Sequence, residues 1–562
     1  MLNRGVKLVR TNFFRTMACL CAATRHRSSS GLDMLSALFV PLVVIIATTC
    51  FPHSVLAQYD YVDQGEEWTD ANRDLFYTQD QGSEIMPYAW AQALREPDGQ
   101  LFWRDSGSRY GFLPNLDLES SDNHGLPVGF FVVGNKDTVL SMNCAACHTR
   151  QIIVENQEYR IDGGPAFADF YAFFKDLFEA VEHTKSNKVA FQVFQKDVGT
   201  PSRKLQKQLD DWYTTNFLVL GESLPVIPWG VGRLDALSNI FNRVNGAMIG
   251  SPRDNFLIPE NVSTADYPVR FPFLWNVGRQ DLTQWTGSSI NGNRDYALAR
   301  NAAQLCGVWG MIHPRGNNFL VDNTTNYEGL EILEESVRTI GPPKWPWGLD
   351  FDKASQGAEL YENNCASCHG IKPGAPRPPV FDTWLTPVHN VGTDIKYWYN
   401  LARRAPSSGL MTGRKIPSSG YEIQPYNEPA ARLVAVVNQT ALLQKFPELD
   451  FTLTKDPTPP GSYESRVLEG VWASAPYLHN GSVPTLAELL KPASDRVTEF
   501  QVGPAYDLVN VGIAEEQPEG AVTSVFVVNP DLASGDSNAG HEYGTDLSLE
   551  EKEALLEYLK AL

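Results

Sequence analysis

Two short stretches of the chain carry the same reactive pattern. Residues 143–150 read "NCAACHTR" and residues 364–371 read "NCASCHGI". Each has two cysteines three positions apart, with a histidine directly after the second. Two thiols at this spacing can add across the vinyl groups of one haem, and the adjacent imidazole then lies beneath the iron as its proximal ligand. The pattern therefore predicts two covalently bound c-type haems, each with its iron.

The cysteines and histidines of the two motifs are the first candidate site residues. The predicted attachment points and proximal iron ligands are Cys144, Cys147 and His148 in the first motif, and Cys365, Cys368 and His369 in the second. A thioredoxin-like redox pair or half of a zinc site would use the same cysteine spacing. Neither explains the histidine that follows.

The other cysteines do not form a disulfide framework. Of the eight cysteines, three lie in the first 50 residues, four lie in the motifs, and Cys306 stands alone. Its neighbours in "NAAQLCGVWGM" are small or apolar. We therefore expect a buried, unpaired thiol rather than an intermolecular disulfide.

The N-terminal segment has the form of a secretory signal peptide. Basic residues precede the apolar run "MLSALFVPLVVIIATTC" at 34–50, and "SVLA" at 54–57 offers a cleavage site after Ala57. A retained membrane anchor and lipidation at Cys50 are the alternatives. No later apolar run approaches the roughly 18 residues that a membrane helix needs. We therefore expect a mature chain without a membrane span, located in the bacterial periplasm or secreted.

Length and charge narrow the class of protein further. A chain of 562 residues is too long for one hydrophobic core. We expect a signal peptide at 1–57, an N-terminal haem domain at 58–345 and a C-terminal cytochrome c-like haem domain at 346–562. The first domain would include a wrapping, irregular arm at about 58–128 and a long insertion. The formal net charge of -20 argues against nucleic acid or an anionic membrane as a partner.

Helix signals flank the second motif. The stretch "DKASQGAELYENN" at 352–364 places small and aromatic residues on one face of a helix that leads into the motif. Ser548 and Glu551 form a capping box at the start of a C-terminal helix with leucines along one face. Two such helices that cross over a haem are the cytochrome c arrangement.

Fewer helices and strands are predicted in the first half of the chain. An extended apolar stretch at 129–143 leads into the first motif, and helices are expected at 167–184 and 202–216. Short helices and loops alternate over 224–345. We therefore predict a mainly α fold, with two cytochrome c-like haem domains, long irregular loops and little β structure.

The second axial position of each iron decides the function. An iron capped on both faces transfers electrons, whereas an open iron can bind dioxygen or peroxide. His479, in the loop "WASAPYLHNGSVPTLAELL" at 472–490, is the strongest candidate for the second haem, and Met411 is the competing ligand. Three further histidines have no distinguishing context: His124, His183 and His313. We infer that the first haem is open or weakly capped.

Several stretches resemble one protein family. The two Cys-x-x-Cys-His motifs and "APYLHNGSVPTLAELL" resemble the bacterial di-haem cytochrome c peroxidase superfamily. The stretches "QGSEIMPYAWAQAL" (81–94), "HGLPVGFFV" (124–132) and "FPFLWNVGRQDLTQWTG" (271–287) more closely resemble one branch, the di-haem rubber oxygenases and exported fatty-acid dioxygenases. The resemblance extends over most of residues 75–562.

The resemblance implies roles for individual residues. His148 would be the proximal ligand of an active, oxygen-binding haem, and His369 and His479 would cap a second, electron-storing haem on both faces. Trp275 matches an aromatic that lies close to the active haem in the family and would be catalytic there, although it also reads as a core tryptophan. Leu274 precedes it where an aromatic could be expected, a departure from the family's pattern.

Three functions are consistent with these features. The resemblance favours an exported dioxygenase that oxidises an unsaturated lipid- or isoprenoid-like substrate, small or polymeric, at the N-terminal haem. The alternative is a peroxidase that reduces hydrogen peroxide with electrons from a small donor cytochrome. It needs a proton-transferring side chain near the iron, for which Gln284 is the nearest candidate. A pure electron carrier would need protein ligands on both faces of each iron. It would also leave the length of this chain unexplained, because far fewer residues suffice for that function.

Both motifs are expected to hold haem covalently. Acid-acetone extraction of the purified protein should leave the colour with the protein, because thioether bonds survive that treatment. The double variant Cys365→Ala/Cys368→Ala should retain about half of the haem, since the other motif is untouched. The measurement is haem per chain. Colour that passes into the organic phase would contradict covalent attachment.

Overall fold

The computed structural model describes residues 59–116, 124–370, 383–451 and 459–562. The signal peptide predicted at 1–57 lies outside the described residues. All of the described residues fall within one compact unit, and the domain boundary expected near residue 345 stays a prediction. None of the described helices is long and apolar enough to cross a membrane.

Helices form the larger part of the regular structure. In chain order the α-helices of the described residues are α1 (Asp70–Thr78), α2 (Tyr88–Ala93), α3 (Phe170–Ser186), α4 (Lys188–Val198), α5 (Ser202–Asn216), α6 (Ala236–Ala247), α7 (Arg294–Cys306), α8 (Tyr327–Thr339), α9 (Phe351–Asn364), α10 (Ala366–His369), α11 (Lys396–Arg403), α12 (Ala430–Lys445), α13 (Leu486–Leu489) and α14 (Leu549–Ala561). The helices predicted at 167–184 and 202–216 are confirmed as α3 and α5.

The strands are short and pair in small sheets. They are β1 (Asp60–Tyr61), β2 (Met86–Pro87), β3 (Phe130–Val133), β4 (Val139–Met142), β5 (Thr149–Val154), β6 (Gln157–Asp162), β7 (Arg233–Leu234), β8 (Val269–Arg270), β9 (Leu282–Thr283), β10 (Ser289–Ile290), β11 (Val388–His389), β12 (Tyr463–Glu464), β13 (Glu499–Val502), β14 (Tyr506–Asp507), β15 (Gly512–Ile513) and β16 (Ser524–Val527). Two sheets have three strands, in the orders β1-β6-β5 and β2-β4-β3, and the other named strands pair two by two.

The fold class differs from the prediction. About 39% of the described residues are helical and 13% are in strands, so the fold is mixed rather than mainly α. The difference comes largely from the surroundings of the first motif. The apolar stretch before it doubles back as the antiparallel pair β3 and β4, and the antiparallel pair β5 and β6 follows directly after it. The first motif therefore lies between two hairpins rather than between helices.

The arm predicted at 58–128 is more regular than expected, since it contains α1 and α2. Asp162 is fully buried and anchors α1: its carboxylate accepts hydrogen bonds from Trp68 Nε1 (2.8 Å), Arg73 Nε (2.8 Å) and the Tyr77 hydroxyl (2.6 Å). Gln64 Nε2 also donates to the Asp162 carbonyl. Sequence reasoning missed this anchor, because local periodicity does not reveal a partner 89 residues away.

Buried side chains form three clusters. One surrounds α3 to α5 and is rich in aromatic rings, a second lies beneath α9 and α14, and a third packs α6, α7 and α12 together. Cys306 is buried in the third cluster and is a free thiol, as expected. Its Sγ lies 3.5 Å from the Ala302 carbonyl oxygen.

The helices α9 and α14 cross at Gly357. The capping box of Ser548 and Glu551 is confirmed at the start of α14. A Cβ atom on Gly357 would lie 2.0 Å from the main-chain carbonyl oxygen of Ala554, far inside van der Waals contact. The crossing predicted beside the second motif is therefore present, and it depends on the absence of a side chain at this position.

The variant Gly357→Ala should lower the free energy of unfolding by about 1–3 kcal/mol, because the added methyl group overpacks the helix crossing. Gly348→Ala is the matched control, since a Cβ there meets nothing within 4 Å. Urea denaturation followed by circular dichroism measures both. Equal midpoints for the two variants would contradict the close-contact argument.

Candidate functional site

The first cavity is built around the first motif. Cys144, Cys147 and His148 all line it. Asn143 caps the short 3-10 turn of the motif: its side-chain oxygen accepts from the Ala145 amide, and its Nδ2 donates to main-chain carbonyl oxygens of α1 and the residue after it. The capped turn fixes both thiols and the imidazole on one cavity wall.

A main-chain carbonyl group orients the His148 ring. Nδ1 lies 2.8 Å from the Pro272 carbonyl oxygen, so Nε2 is the nitrogen available to a metal. Burial lowers the pKa of His148 to about 4, although the hydrogen bond to Pro272 opposes the shift. The imidazole is therefore neutral at physiological pH, which is the form that coordinates iron.

The rest of the first cavity combines apolar walls with polar side chains. Leucines and valines of α8, together with Leu274, contribute apolar walls. Arg300 of α7 and Glu334 of α8 form a buried ion pair at the wall, and Asn301 Nδ2 donates to the same carboxylate at 3.0 Å. Gln284 also lines the cavity. Among the described residues, His148 is the only histidine that lines it, and no methionine does.

Trp275 lines neither cavity. It is fully buried, its ring stacks on Phe273 with centroids 4.7 Å apart, and its Nε1 donates to the Glu469 carbonyl at 2.8 Å. Phe273 does line the first cavity. The catalytic role of Trp275 stays a prediction, and any influence on that cavity would pass through Phe273.

The second cavity is built around the second motif. Cys365, Cys368 and His369 line it. His369 Nδ1 lies 2.6 Å from the Arg466 carbonyl oxygen, which again leaves Nε2 free. Burial lowers the pKa of His369, so this imidazole is also neutral. Both motif histidines are thus oriented in the same way, by a carbonyl group distant in sequence.

Three more histidines line the second cavity: His389, His479 and His541. The His541 ring lies 6.3 Å from the His369 ring, centroid to centroid. Metal–imidazole bonds are about 2 Å long, so two rings on opposite faces of one iron are separated by about 6 Å. His479 instead stacks on Tyr463, with centroids 3.9 Å apart. The separation of the His369 and His541 rings favours His541 as the iron ligand opposite His369. His479 remains the alternative.

Sequence reasoning missed His541, because "NAGHEYG" has no pattern that distinguishes it from a surface loop. It ranked Met411 as a competitor, but Met411 is fully buried in the third cluster and lines neither cavity. The other histidines considered for the first haem also lie outside both cavities: His124, His183 and His313.

Five side chains line both cavities and form the shared wall between them: Arg270, Phe273, Trp285, Glu464 and Arg466. All five are buried. Sequence reasoning named none of the five as site residues. The available signal was a charged residue next to apolar neighbours, as in "VRFPF" and "SRVLEG". A buried charge in an apolar run is a common mark of a functional site.

The shared wall tests whether the residues present fit a haem. Arg270 donates only to the main-chain carbonyls of Leu478 and Ser474, and Arg466 Nε has no partner among the described residues. Burial lowers the pKa of Arg270 to about 9, and the positive charge of Arg466 contributes. Buried guanidinium groups need carboxylates. The propionates of a haem would supply them, so the cavities fit the group.

Comparison with known families agrees with this geometry. The family described as RoxA-like, cytochrome c-like matches residues 462–501, which include Glu464, Arg466 and His479. The family described as cytochrome C oxidase, cbb3-type, subunit III matches residues 352–417, which include the second motif. The first motif lies outside both matched ranges.

Two proteins of Sinorhizobium fredii (strain NBRC 101917 / NGR234) are similar to the chain. The uncharacterized protein y4iJ is 28% identical over 594 residues, which cover 90% of this chain and 95% of the relative. The uncharacterized protein y4iM is 30% identical over 243 residues, which cover 43% of this chain and 48% of the relative. Their names state no function.

The family matches and the geometry of the second cavity define the class. The chain is a c-type cytochrome, a haem protein with a redox function. Its motif histidines line cavities whose walls also contain buried guanidinium groups.

The variant His541→Gly should convert the haem of the second cavity from low spin to high spin, because it removes the opposing ligand. His479→Gly is the matched control and should leave the low-spin signal in place. Electron paramagnetic resonance of the oxidised protein reports both, and haem content per chain checks that attachment is unchanged. A spin change in His479→Gly alone would contradict the assignment and restore His479 as the ligand.

Proposed function

We propose that the chain is an exported oxygenase with two covalently bound c-type haems. The haem of the first motif would bind dioxygen and oxidise an unsaturated, lipid- or isoprenoid-like substrate. The haem of the second motif, ligated on both faces, would act as an electron reservoir. Export to the periplasm or beyond fits the haem attachment and the N-terminal signal pattern.

One observation carries this proposal: the two cavities differ in their supply of iron ligands. The second cavity has three histidines besides the motif histidine, and the first has none among the described residues. An iron with one protein ligand keeps a position open for a diatomic molecule. The difference supports substrate chemistry in the first cavity and electron storage in the second.

The walls of the first cavity support an apolar substrate. Leu330, Leu333 and Val337 lie on one face of α8 and line the cavity, and Leu274 and Val277 add to the same apolar surface. Such walls exclude water and bind hydrocarbon chains through burial of apolar area. The match to the RoxA-like family also favours this branch. A haem in this cavity would supply the oxygen-binding chemistry.

Chain residues have three tasks in the proposed reaction. His148, held by the Pro272 carbonyl, would bind the iron through Nε2. The apolar face of α8 positions the substrate. Arg270 and Arg466, buried in the shared wall, would hold propionates and so fix the orientation of each haem.

The peroxidase alternative is favoured by one specific observation. The ion pair of Arg300 and Glu334 lies at the wall of the first cavity. Cleavage of the O–O bond of hydrogen peroxide requires a group that moves a proton between its two oxygens. Glu334 can move that proton, and Arg300 can stabilise the developing negative charge. Gln284, the candidate from the sequence, has no acidic proton to move.

Consumption of oxidant separates the two functions. As an oxygenase, the purified protein should consume dioxygen when an unsaturated apolar substrate is added, without any electron donor. As a peroxidase, it should consume hydrogen peroxide only with a reduced small cytochrome or another donor present. An oxygen electrode and peroxide absorbance measure the two reactions.

The variant Glu334→Gln also distinguishes an oxygenase from a peroxidase. An oxygenase should keep most of its oxygen uptake, whereas a peroxidase should lose about 10²–10⁴-fold in rate, the usual contribution of general acid–base catalysis. Peroxide consumption by the unmodified protein together with such a loss would overturn the oxygenase proposal. Inactivity in both assays, with both haems in place, would favour an electron-transfer protein.

A further inference from the structure

A hydroxyl group joins two buried carboxyl groups behind the shared wall. Thr386 Oγ1 lies 2.9 Å from Asp281 Oδ1 and 2.8 Å from Glu464 Oε1. All three side chains are buried. The Thr386 amide also donates to Asp281 Oδ1 at 2.8 Å, which fixes the position of the hydroxyl. The three residues come from separate segments of the chain, so their contact is a product of the tertiary fold.

If both carboxyl groups were ionised, this cluster would have too few hydrogens for its short contacts. A threonine hydroxyl has one hydrogen and can donate to one acceptor, whereas an ionised carboxylate can only accept. One of the two short contacts therefore lacks a hydrogen. A proton on either carboxyl group completes it, because that carboxyl group can then donate to the hydroxyl oxygen.

Gln280 offers a second possible acceptor for a proton on Glu464, as an alternative to the Thr386 hydroxyl. Its Nε2 donates to Glu464 Oε1, and its buried Oε1 has no donor among the described residues. The two ends of a glutamine amide exchange places on a 180° rotation. After that rotation Gln280 Oε1 faces Glu464 and accepts a hydrogen from the protonated carboxyl group. The amide therefore suits both protonation states of Glu464.

The surroundings place the proton on Glu464 near neutral pH. Burial raises the pKa of Glu464 to about 7, and the charge of Asp281 adds to the rise, whereas Arg466 and the bonds from Thr386 and Gln280 oppose it. Other titratable or charged groups share its cavity walls, among them Arg270 in both cavities, Arg300, Glu334 and Tyr397 in the first, and His389 in the second.

The position of Glu464 connects this proton to electron transfer. Glu464 lines both cavities, whereas Asp281 and Thr386 line neither. One electron added to a haem in either cavity lowers the local charge by one unit. Inside the protein such a change acts on a nearby carboxyl group with little screening. A carboxylate beside the reduced haem therefore binds a proton more tightly.

We propose that Asp281, Thr386 and Glu464 form a proton-binding site that takes up one proton from solvent when a haem beside it accepts an electron from a one-electron reductant. The electron reduces ferric to ferrous iron, and the proton completes the hydrogen bond between the two carboxyl groups. Oxidation of the haem releases the proton to solvent. The proposal needs haem in the cavities but does not depend on oxygenase or peroxidase activity.

Potentiometric titration of the holoprotein from pH 5 to pH 9 tests the proposal. In the unmodified protein, the midpoint potential of at least one haem should fall as the pH rises through about 7. The slope should approach one proton per electron, a tenfold change in the reduction equilibrium per pH unit or about 59 mV. Glu464→Gln should flatten the curve in this window, because an amide binds no proton.

Glu428→Gln is the matched control. Glu428 is equally buried and hydrogen-bonded, but it pairs with Arg432 and lines neither cavity. This variant should keep the slope of the unmodified protein. A flat curve in the unmodified protein, or an unchanged slope in Glu464→Gln, would overturn the proposal.

A measurement on the unmodified protein covers the case in which Glu464→Gln does not fold. The infrared difference spectrum between reduced and oxidised holoprotein should contain the C=O band of a protonated carboxyl group, and that band should shift in D₂O. Thr386→Val, which removes only the shared hydroxyl, should move the band. Absence of any carboxyl band from the difference spectrum would contradict proton uptake at this site.

Discussion

Arg270 and Arg466 place two buried guanidinium groups in the wall between the cavities. The groups around them must compensate for this buried positive charge. Their hydrogen-bond acceptors among the described residues are main-chain carbonyl oxygens, and Glu464 is the carboxyl group that shares the wall with them. Uncompensated buried charge is costly in a folded protein. The propionates of haem would offset it, so binding of the cofactor and formation of this wall are coupled. The carbonyl of Arg466 also holds His369, which links the same residue to an iron ligand.

The two cavities are similar in construction and differ in what faces the motif histidine. Both present two cysteines and a histidine whose Nδ1 is held by a distant carbonyl group. The first adds an apolar face of α8 and the ion pair of Arg300 and Glu334, and the second adds three histidines. Axial ligation decides whether a haem binds small molecules or transfers electrons. This difference is the basis for the proposal that the two cavities have different functions. The shared wall then provides a short connection between them.

The sequence predicted those features that depend on residues close together along the chain. The two motifs, the capping box of α14, and helices α3 and α5 all follow from local spacing. Features that join distant segments were missed. The Asp162 anchor of α1 and the contact of Thr386 with Asp281, 105 residues apart, have no local signature. The same reason explains His541, whose partner in the second cavity is set by tertiary packing. The extended stretch predicted before the first motif forms β3 and β4, but its pairing as a hairpin and the second hairpin after the motif were missed, because apolar runs of that length suit several structures.

Binding of carbon monoxide tests most directly whether the two haems differ in axial ligation. The holoprotein is reduced with dithionite and titrated with carbon monoxide, and the ligand bound is compared with total haem measured as pyridine haemochrome. We predict that one carbon monoxide molecule binds for every two haems. Binding to both haems would contradict ligation of the second iron on both faces. Binding to neither would contradict an open iron above His148.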